Sequence, residues 1–424
     1  MINKSTILKT ETLILGGGIT GLSVASFLGK EKDYIIAEGS AQLGGYCKTT
    51  KRNGFVWDYS GHFFHFRNDE IKQYVMENMG CEVVEVEKIT DIDYQGTIID
   101  FPFQYNIHQL QSRDFLDCLI DLYNVGDVDD TSFKSFVKSS LGASISDKFL
   151  IPYNEKLYAT NLDNLDAGAM GRFFPKPIKF GDLLERISSK EKFKSYNDTF
   201  IYPTEGSFEF VKSILKRVNQ DKINLKTKIS KVDLKNNIAY TQSGDEIHFK
   251  NLVNTAPFNL FMDMCGTSKN DLSSNKVAVF NLGFDKGTEI KSHWRYFPGN
   301  QVFYRIGFYN NILGQDRMSL YVEIGANQNQ HLNEIELLDS VLEDLKLCKV
   351  ITDQKLIEHQ FIVMDPAYVH INQKSIEHYN EWCNTYNQQG IYSIGRYGSW
   401  TYCSIEDNII QGKEVAMSIL NQHT

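Results

Sequence analysis

The stretch Gly16-Gly17-Gly18-Ile19-Thr20-Gly21 decides the fold class of this chain. It follows a short apolar run at residues 12–15 and opens an apolar segment that continues to residue 28. In the pattern G-x-G-x-x-G the first glycine permits a tight turn, the second lets the backbone approach a pyrophosphate, and the third packs a helix on a strand. The N-terminus of that helix offers free N–H groups to a phosphate. The stretch therefore predicts a strand, a turn and a helix that bind a dinucleotide.

A second strand is expected at residues 34–37, and it ends at Glu38. A carboxylate at this position can accept hydrogen bonds from both hydroxyls of a ribose. The same charge would repel a 2′-phosphate, which disfavours NADP at this site. Two strands joined by a helix predict a βαβ unit with a parallel sheet.

Composition excludes several classes of protein. The 424 residues include 44 Lys and Arg against 53 Asp and Glu, a formal charge of −9, which disfavours a protein that follows a nucleic-acid backbone. No apolar run reaches the ~18 residues of a membrane span. The seven cysteines form no Cys-x-x-Cys pair, as expected of reduced thiols in a cytoplasmic protein. We therefore expect no nucleic-acid partner, no integral membrane segment and no metal.

The rest of the chain changes pattern twice. Apolar residues repeat at helical spacing between residues 112 and 157, whereas residues 302–306 and 320–324 alternate between apolar and polar. Such alternation is typical of an antiparallel sheet with two different faces. We therefore predict an α/β fold in which a helical insert and an antiparallel sheet interrupt the dinucleotide-binding domain.

The order of the motifs resembles the flavin amine oxidase and protoporphyrinogen oxidase superfamily. The glycine fingerprint and Glu38 are followed by Leu43-Gly44-Gly45 and by Asp58-Tyr59-Ser60-Gly61-His62. Near the C-terminus, Gly395-Arg396-Tyr397-Gly398-Ser399-Trp400-Thr401-Tyr402 resembles the superfamily's last flavin motif. Within the superfamily the chain looks most like the UDP-galactopyranose mutases, especially those of eukaryotic type.

This resemblance implies bound FAD. The family has a basic residue after the glycine pair, whereas this chain has Tyr46 at that position. Lys48 would supply the missing positive charge. The cofactor contacts that the resemblance implies are Gly16, Gly18, Gly21, Glu38, Gly44, Gly45, Lys48, Gly61, His62, Ile229, Gly395, Arg396, Glu406 and Asp407.

Five shorter segments resemble substrate-binding regions of the mutases. They are Phe101-Pro102-Phe103-Gln104, Pro152-Tyr153-Asn154-Glu155-Lys156-Leu157-Tyr158, Gly171-Arg172, Phe303-Tyr304-Arg305 and Ala367-Tyr368-Val369. The substrate contacts implied are Phe101, Phe103, Gln104, Asn154, Tyr158, Arg172, Arg305, Tyr368 and Tyr402, and the catalytic residues implied are His62, Arg305 and Arg172. Two guanidinium groups suit a diphosphate, because their forked donors match phosphate oxygens.

Each of these residue types also has a purely structural interpretation. The two arginines could serve as ion-pair partners, and Phe101, Phe103 and Tyr158 could be core residues. His62 could be a buried histidine satisfied by the backbone.

One position departs from the mutase pattern. Eukaryotic-type mutases place an asparagine four residues after the tyrosine that corresponds to Tyr402, and this chain has Glu406 there. A carboxylate has no proton to donate, and repulsion from a phosphate at about 4 Å approaches ~4 kcal/mol at an effective dielectric near ~20. Either Glu406 turns outward or caps the last helix, or the substrate is not the usual diphosphate sugar.

The resemblance also implies a division of the chain. We expect an FAD-binding domain of residues 1–78, 203–260 and 388–424, a helical insert of residues 101–199, and an antiparallel substrate domain of residues 79–100 and 261–387.

The resemblance implies a pyranose/furanose mutase that acts on a nucleotide-diphosphate sugar, with reduced flavin as the nucleophile and a role in polysaccharide biosynthesis. NAD(P)H would bind only transiently, as a reductant. An FAD-dependent oxidoreductase of the amine oxidase or protoporphyrinogen oxidase type is the alternative. A non-enzymatic binding protein with the fold of the GDP-dissociation inhibitors is a third class, which the intact glycine fingerprint disfavours.

Overall fold

The computed structural model describes residues 6–189, 198–267 and 271–422. The strands of these residues are, in chain order, β1 (Ile7–Leu15), β2 (Tyr34–Ala37), β3 (Thr49–Arg52), β4 (Phe55–Asp58), β5 (Val83–Glu87), β6 (Thr90–Tyr94), β7 (Thr97–Asp100), β8 (Thr199–Pro203), β9 (Ile223–Asn224), β10 (Ile229–Asp233), β11 (Ile238–Thr241), β12 (Glu246–Asn254), β13 (Asn275–Phe284), β14 (Trp294–Tyr296), β15 (Arg305–Phe308), β16 (Ser319–Asn327), β17 (Leu356–Met364) and β18 (Ile391–Ser393).

The helices of the same residues are α1 (Ile19–Leu28), α2 (Asp69–Met76), α3 (Ser112–Tyr123), α4 (Phe133–Leu141), α5 (Ala143–Ile145), α6 (Ile151–Tyr158), α7 (Phe180–Ser189), α8 (Phe208–Leu215), α9 (Phe258–Met264), α10 (Tyr309–Leu313), α11 (Glu334–Leu347), α12 (Gln373–Tyr386), α13 (Gly395–Gly398) and α14 (Ile405–Asn421). A π-helical turn at Ser146–Leu150 joins α5 to α6. Short 3₁₀ turns include Phe103–Tyr105 and Gly171–Phe173.

The first sheet contains the predicted βαβ unit. Its strands run in the order β10-β11-β12-β1-β2-β9, and β18 pairs with the C-terminal half of β12. The register of β1 aligns Leu15 with Ala37 on one side and with Asn254 on the other, and all three strands are parallel. Because parallel strands end at one edge of the sheet, the residues that follow these strands meet there.

The second sheet is largely antiparallel, in the order β17-β13-β16-β15-β14-β6-β7. Only the pair β14 and β6 is parallel among its described pairs. Within it, Arg305 of β15 lies directly opposite Glu323 of β16. Two small sheets, β3 with β4 and β5 with β8, complete the strand pairing of the described residues.

Helices α3 to α7 lie between β7 and β8 in the chain and correspond to the segment predicted as helical. Strands of the first sheet all fall within residues 7–37, 223–254 and 391–393, and strands of the second within residues 90–100 and 275–364. The three-part division of the chain stays a prediction. Residues 1–5, 190–197, 268–270 and 423–424 of its ranges lie outside the described residues.

None of the described helices is both long enough and apolar enough to cross a membrane. All seven cysteines are free thiols.

A buried carboxylate ends β4 in the motif Asp58-Tyr59-Ser60-Gly61-His62. Asp58 is fully buried, and its oxygens accept hydrogen bonds from Thr49 Oγ1 at 2.6 Å, Tyr202 OH at 2.8 Å and Ser207 N at 3.1 Å. Burial raises the pKa of Asp58 to about 6, although these hydrogen bonds oppose the rise. The folded protein therefore holds a proton on Asp58 at pH values where the unfolded chain has released it.

We expect Asp58→Asn to remove a pH-dependent loss of stability. Asp58 contributes no pH dependence below its unfolded pKa of 3.8, and it destabilises the fold progressively as pH rises from about 4 to about 6. The full penalty above that range is about 3 kcal/mol, since each unit of pKa difference is worth about 1.4 kcal/mol. Denaturant unfolding of both proteins between pH 4.5 and 7.5 measures the difference. The exposed Asp316→Asn variant is the control, and a wild-type-to-variant difference that is equal at every pH would contradict the prediction.

Candidate active site

A cavity of about 1230 Å³ opens where the parallel strands of the first sheet end. Its volume exceeds the ~300–1,000 Å³ of most pockets for a single small ligand, so a dinucleotide and a second molecule could both fit. The segments that follow β1 and β2 contribute Gly16, Gly18, Glu38, Gly44, Gly45 and Lys48 to the lining, and β10 contributes Ile229. The insert and the second sheet contribute Phe101, Gln104, Asn154, Arg172, Trp294, Tyr296, Arg305 and Tyr321. The other predicted site residues that line the cavity include Gly61, His62, Tyr368, Arg396 and Tyr402.

The glycine turn has the geometry that the motif predicts. Gly16 has φ +101°, and a Cβ there would lie 2.5 Å from Thr255 Oγ1. A Cβ on Gly21 would lie 2.0 Å from the carbonyl oxygen of Gly16, so this glycine permits the close approach of helix and strand. Over Gly18 the nearest atom to such a Cβ is Gly45 Cα at 3.8 Å. Gly16 and Gly21 thus shape the turn, whereas Gly18 leaves open space beside the cavity.

The start of α1 fits a phosphate group. Gly18 is the N-cap residue, no side chain caps the helix, and no acidic residue lies in its first turn. The N–H groups of the first turn and the positive end of the helix dipole are therefore available to an anion.

Glu38 is fixed beside this turn. Its Oε2 accepts a hydrogen bond from Gly17 N and its Oε1 accepts one from Ser40 N, both at 2.7 Å. Each carboxylate oxygen can accept a further bond, so both can still take a ribose hydroxyl. The open turn, the uncapped helix and the fixed carboxylate fit the adenosine-diphosphate half of FAD.

His62 lies in a turn with a strained residue before it. Ser60 has φ +77°, in the left-handed region that is costly for residues other than glycine. The ring nitrogen Nδ1 of His62 donates a hydrogen bond to the carbonyl oxygen of Ser60 at 3.3 Å. Burial lowers the pKa of His62 to about 4, so the ring is neutral at physiological pH and Nε2 carries a lone pair.

Arg305 is held by a buried carboxylate. Its Nε and Nη2 donate to Glu323 Oε2 and Oε1 at 2.7 and 2.8 Å, and the Glu323 side chain is 1% exposed. Burial alone would raise the pKa of Glu323, but the charge of Arg305 and the hydrogen bonds from Arg305 and Ser60 outweigh it and lower that pKa. One edge of the guanidinium thus binds Glu323, and Arg305 also lines the cavity.

Arg396 lies against two tyrosines that the sequence also singles out. The rings of Tyr368 and Tyr402 are nearly parallel, with centroids 5.9 Å apart. The guanidinium carbon of Arg396 is 4.3 Å from the ring centroid of Tyr402 and 5.4 Å from that of Tyr368. The two tyrosine rings therefore already interact with a cation of the protein, the Arg396 guanidinium.

Arg172 joins the insert to the last helix. Its Nη2 donates to Asp407 Oδ2 at 2.5 Å and to Ser404 Oγ at 3.2 Å. Asp407 also forms a capping box with Ser404 at the start of α14, and it does not line the cavity. Asp407 therefore lies outside the cavity lining, where its carboxylate caps the helix and pairs with Arg172, and its contact with the cofactor stays a prediction.

Glu406 lies in the first turn of α14, near the positive end of the helix, and it lines the cavity. Glu406 is 2% exposed, so it does not turn outward, and Ser404 rather than Glu406 caps α14. Its Oε1 accepts hydrogen bonds from Arg67 N and Asn68 N at 2.8 Å each, and its Oε2 pairs with Arg67 Nε at 3.4 Å. This carboxylate fixes the loop before α2, and its mismatch with the mutase asparagine does not by itself exclude a diphosphate.

Two other predicted contacts lie outside the cavity lining. Phe103 is fully buried and stacks on Phe149, with centroids 5.2 Å apart. Tyr158 is 1% exposed at the end of α6 and packs edge-on against Tyr368 at 5.7 Å. Both side chains face the core because their helical turns present the opposite side to the cavity. Gly21 and Gly395 also lie behind the lining, where they pack against Gly16 and Thr20.

Several lining residues were not predicted. They include the aromatic and basic side chains of Phe63, His65, Lys88, Trp294 and Tyr296. Glu323 and Ser60 were also missed. An acidic residue within the apolar strand Leu320-Tyr321-Val322-Glu323-Ile324 is a signal that could have identified Glu323, because a buried charge requires a partner.

Comparisons with known proteins agree with this architecture. Residues 14–77 match the family model of the NAD(P)-binding Rossmann-like domain. Coproporphyrinogen III oxidase of Bacillus subtilis (strain 168) is 21% identical over 327 residues, which are 67% of this chain and 69% of the relative.

Two solved structures cover almost the whole chain. Reduced UDP-galactopyranose mutase superimposes with a TM-score of 0.90 at 20% identity, over 97% of this chain and 96% of that one. A protein assigned as a protoporphyrinogen oxidase from Exiguobacterium sp. 255-15 superimposes with a TM-score of 0.73 at 18% identity, over 98% and 99%. The predicted fold class is confirmed, and the resemblance to this superfamily and to the mutases within it is confirmed at the level of the fold.

Proposed function

We propose that this chain is an FAD-dependent enzyme that interconverts the pyranose and furanose forms of a nucleotide-diphosphate sugar. The observation that carries the proposal is one continuous cavity. It joins the dinucleotide cradle at Gly18 and Glu38 to a cluster of Arg305, Arg396 and Tyr402. When bound, reduced FAD would supply the nucleophile that displaces the nucleoside diphosphate from the anomeric carbon of the sugar.

The protein's own residues would bind and orient the cofactor and the substrate. The first turn of α1 and the Glu38 carboxylate would hold the pyrophosphate and a ribose of the cofactor. Arg305 and Arg396 would stabilise the diphosphate while it is separated from the sugar, with hydroxyl donors from Tyr368 and Tyr402. Neutral His62 would face the reactive part of the flavin as a hydrogen-bonding group.

The cluster favours an anionic substrate group over an amine. Parallel aromatic rings can bind a substrate ammonium, but here the Arg396 guanidinium already lies against both tyrosines. A second cation beside it would be repelled, whereas a diphosphate would be attracted. This argues against an amine oxidase and supports the mutase.

An FAD-dependent oxidoreductase acting on a large, anionic aromatic molecule is the second candidate. The aromatic wall formed by Phe63, Phe101, Trp294 and Tyr296 favours it, and so does the likeness to a coproporphyrinogen III oxidase. The open turn at Gly18 argues against a non-enzymatic role. The cytoplasmic location, the transient use of NAD(P)H and the role in polysaccharide biosynthesis remain predictions.

The redox state of the flavin separates the two candidates. We expect the protein, reduced with dithionite under anaerobic conditions, to convert UDP-galactopyranose to a furanose isomer without net consumption of reductant. The oxidised protein should be inactive, because only reduced flavin carries the nucleophilic electron pair. Chromatography of the nucleotide sugars measures conversion, and free FAD with dithionite is the control. Oxygen consumption with coproporphyrinogen III, with no isomerisation of any nucleotide sugar, would instead support the oxidoreductase.

A further inference from the structure

Arg305 and the Ser60–His62 turn share one buried carboxylate. Glu323 accepts two hydrogen bonds from the Arg305 guanidinium, at 2.7 and 2.8 Å, and a third from Ser60 Oγ. Its side chain is 1% exposed and therefore has little access to solvent. The same acceptor thus contacts a residue of the substrate end of the cavity and a residue of the proposed flavin end.

Hydrogen bonds to both the main chain and the side chain of Ser60 hold it in the turn. Its carbonyl oxygen accepts from His62 Nδ1 and from Tyr309 OH, each at 3.3 Å. Its φ of +77° is kept by these contacts together with the side-chain bond to Glu323, since serine does not favour this region alone. On its other side a Cβ on Gly61 would lie 2.5 Å from Tyr321 OH, so the turn has little room to shift independently.

We propose that Glu323 is a positioning residue that couples an anion at Arg305 to the Ser60-Gly61-His62 turn beside the flavin. An anionic ligand in the cavity beside Arg305 would draw the guanidinium toward itself and weaken its bonds to Glu323. Glu323 would then accept a stronger hydrogen bond from Ser60. The resulting shift of Ser60 would move His62, which is hydrogen-bonded to the Ser60 carbonyl oxygen. This inference rests on the proposed function for the identity of the cofactor and of the anionic group.

Two variants test the Arg305–Glu323 contact and the Glu323–Ser60 contact separately. Glu323→Gln keeps the size of the side chain but removes its charge and replaces one acceptor oxygen with an NH2 donor, so it should misplace Arg305 and break the coupling. Ser60→Ala removes only the bond from Ser60 to Glu323 and leaves the Arg305–Glu323 pair intact. We expect Glu323→Gln to weaken UDP binding about tenfold, the difference between a charged and a neutral hydrogen bond. Ser60→Ala should bind UDP within twofold of the wild type.

The decisive measurement is the spectrum of the bound flavin during titration with UDP and, separately, with inorganic pyrophosphate. In the wild type each ligand should shift the flavin absorbance bands and the reduction potential. Both shifts should be lost in Ser60→Ala although UDP still binds, an outcome that a merely structural role of Ser60 would not give. FAD content and melting temperature, measured for each protein, identify a variant that fails to fold.

The outcomes distinguish this inference from the proposed function. If UDP binds the wild type without any change in the flavin, or shifts the flavin equally in Ser60→Ala, the coupling is wrong and the mutase proposal survives. If pyrophosphate binds and shifts the flavin in the wild type but not in Ser60→Ala, while UDP does not bind, the coupling stands and the nucleotide-sugar substrate is wrong. Failure of both ligands to bind the wild type would overturn both.

Discussion

A Gly18→Leu variant is expected to purify as a folded, colourless protein, whereas the wild type should be yellow. A side chain at position 18 would enter the gap between the glycine turn and Gly45, where the nearest atom to a Cβ is 3.8 Å away. The Cβ itself would make only ordinary van der Waals contacts, and Gly18 lines the cavity into which the rest of the side chain can extend, so the fold should persist. It would occupy the space through which the backbone approaches the pyrophosphate of the cofactor. We therefore expect complete loss of the flavin absorbance with little change in the circular dichroism spectrum.

The control for this prediction is Gly126→Leu. Gly126 has no atom within 4 Å of its Cβ position, and it is exposed and lies outside the cavity. This variant should retain the flavin of the wild type. A yellow Gly18→Leu protein with full FAD content would show that the glycine turn does not hold the cofactor. A wild type that is colourless and takes up no FAD would overturn the whole functional proposal.

Replacement of Arg305 should have the second-largest effect, and it should act on stability and on binding together. Arg305→Ala leaves the Glu323 carboxylate buried without its cation, which typically costs about 3–5 kcal/mol of folding free energy. It also removes a charged donor from the cavity, and UDP binding should weaken by about 1.5–3 kcal/mol. The double variant Arg305→Met/Glu323→Leu should regain most of the stability, because an apolar pair can replace a buried ion pair. It should not regain UDP affinity.

The neighbouring strands offer a matched control. Arg295 of β14 pairs with Asp91 of β6 through bonds of 2.6 and 2.9 Å, and both side chains are largely buried. Arg295 does not line the cavity. Arg295→Ala should therefore lose a similar amount of stability but bind UDP like the wild type. Denaturant unfolding and calorimetric titration with UDP measure the two effects, and equal UDP affinity in Arg305→Ala and the wild type would remove Arg305 from the substrate site.

Features that depend on local backbone geometry could be predicted from the sequence. The glycine turn at residues 16–21 and the carboxylate of Glu38 follow from steric demands within one βαβ unit. The helical insert and the antiparallel sheet follow from apolar periodicity, which reports the face a residue occupies. Residues 60–62 of the motif at residues 58–62 line the cavity, and the flavin contact of His62 stays a prediction.

Only the tertiary structure decided which partner each charged side chain meets. Glu406 binds the loop at Arg67 and Asn68, more than 330 residues away in the chain, and Phe103 faces the core although its neighbour Gln104 lines the cavity. Periodicity places a side chain on a face but does not name the segment that packs against that face. The sequence by itself therefore determined a dinucleotide-binding fold with its glycine turn and Glu38. The packing of distant segments determined that Glu323 holds Arg305 and touches Ser60, because a buried carboxylate is stable only where separate strands bring donors to it.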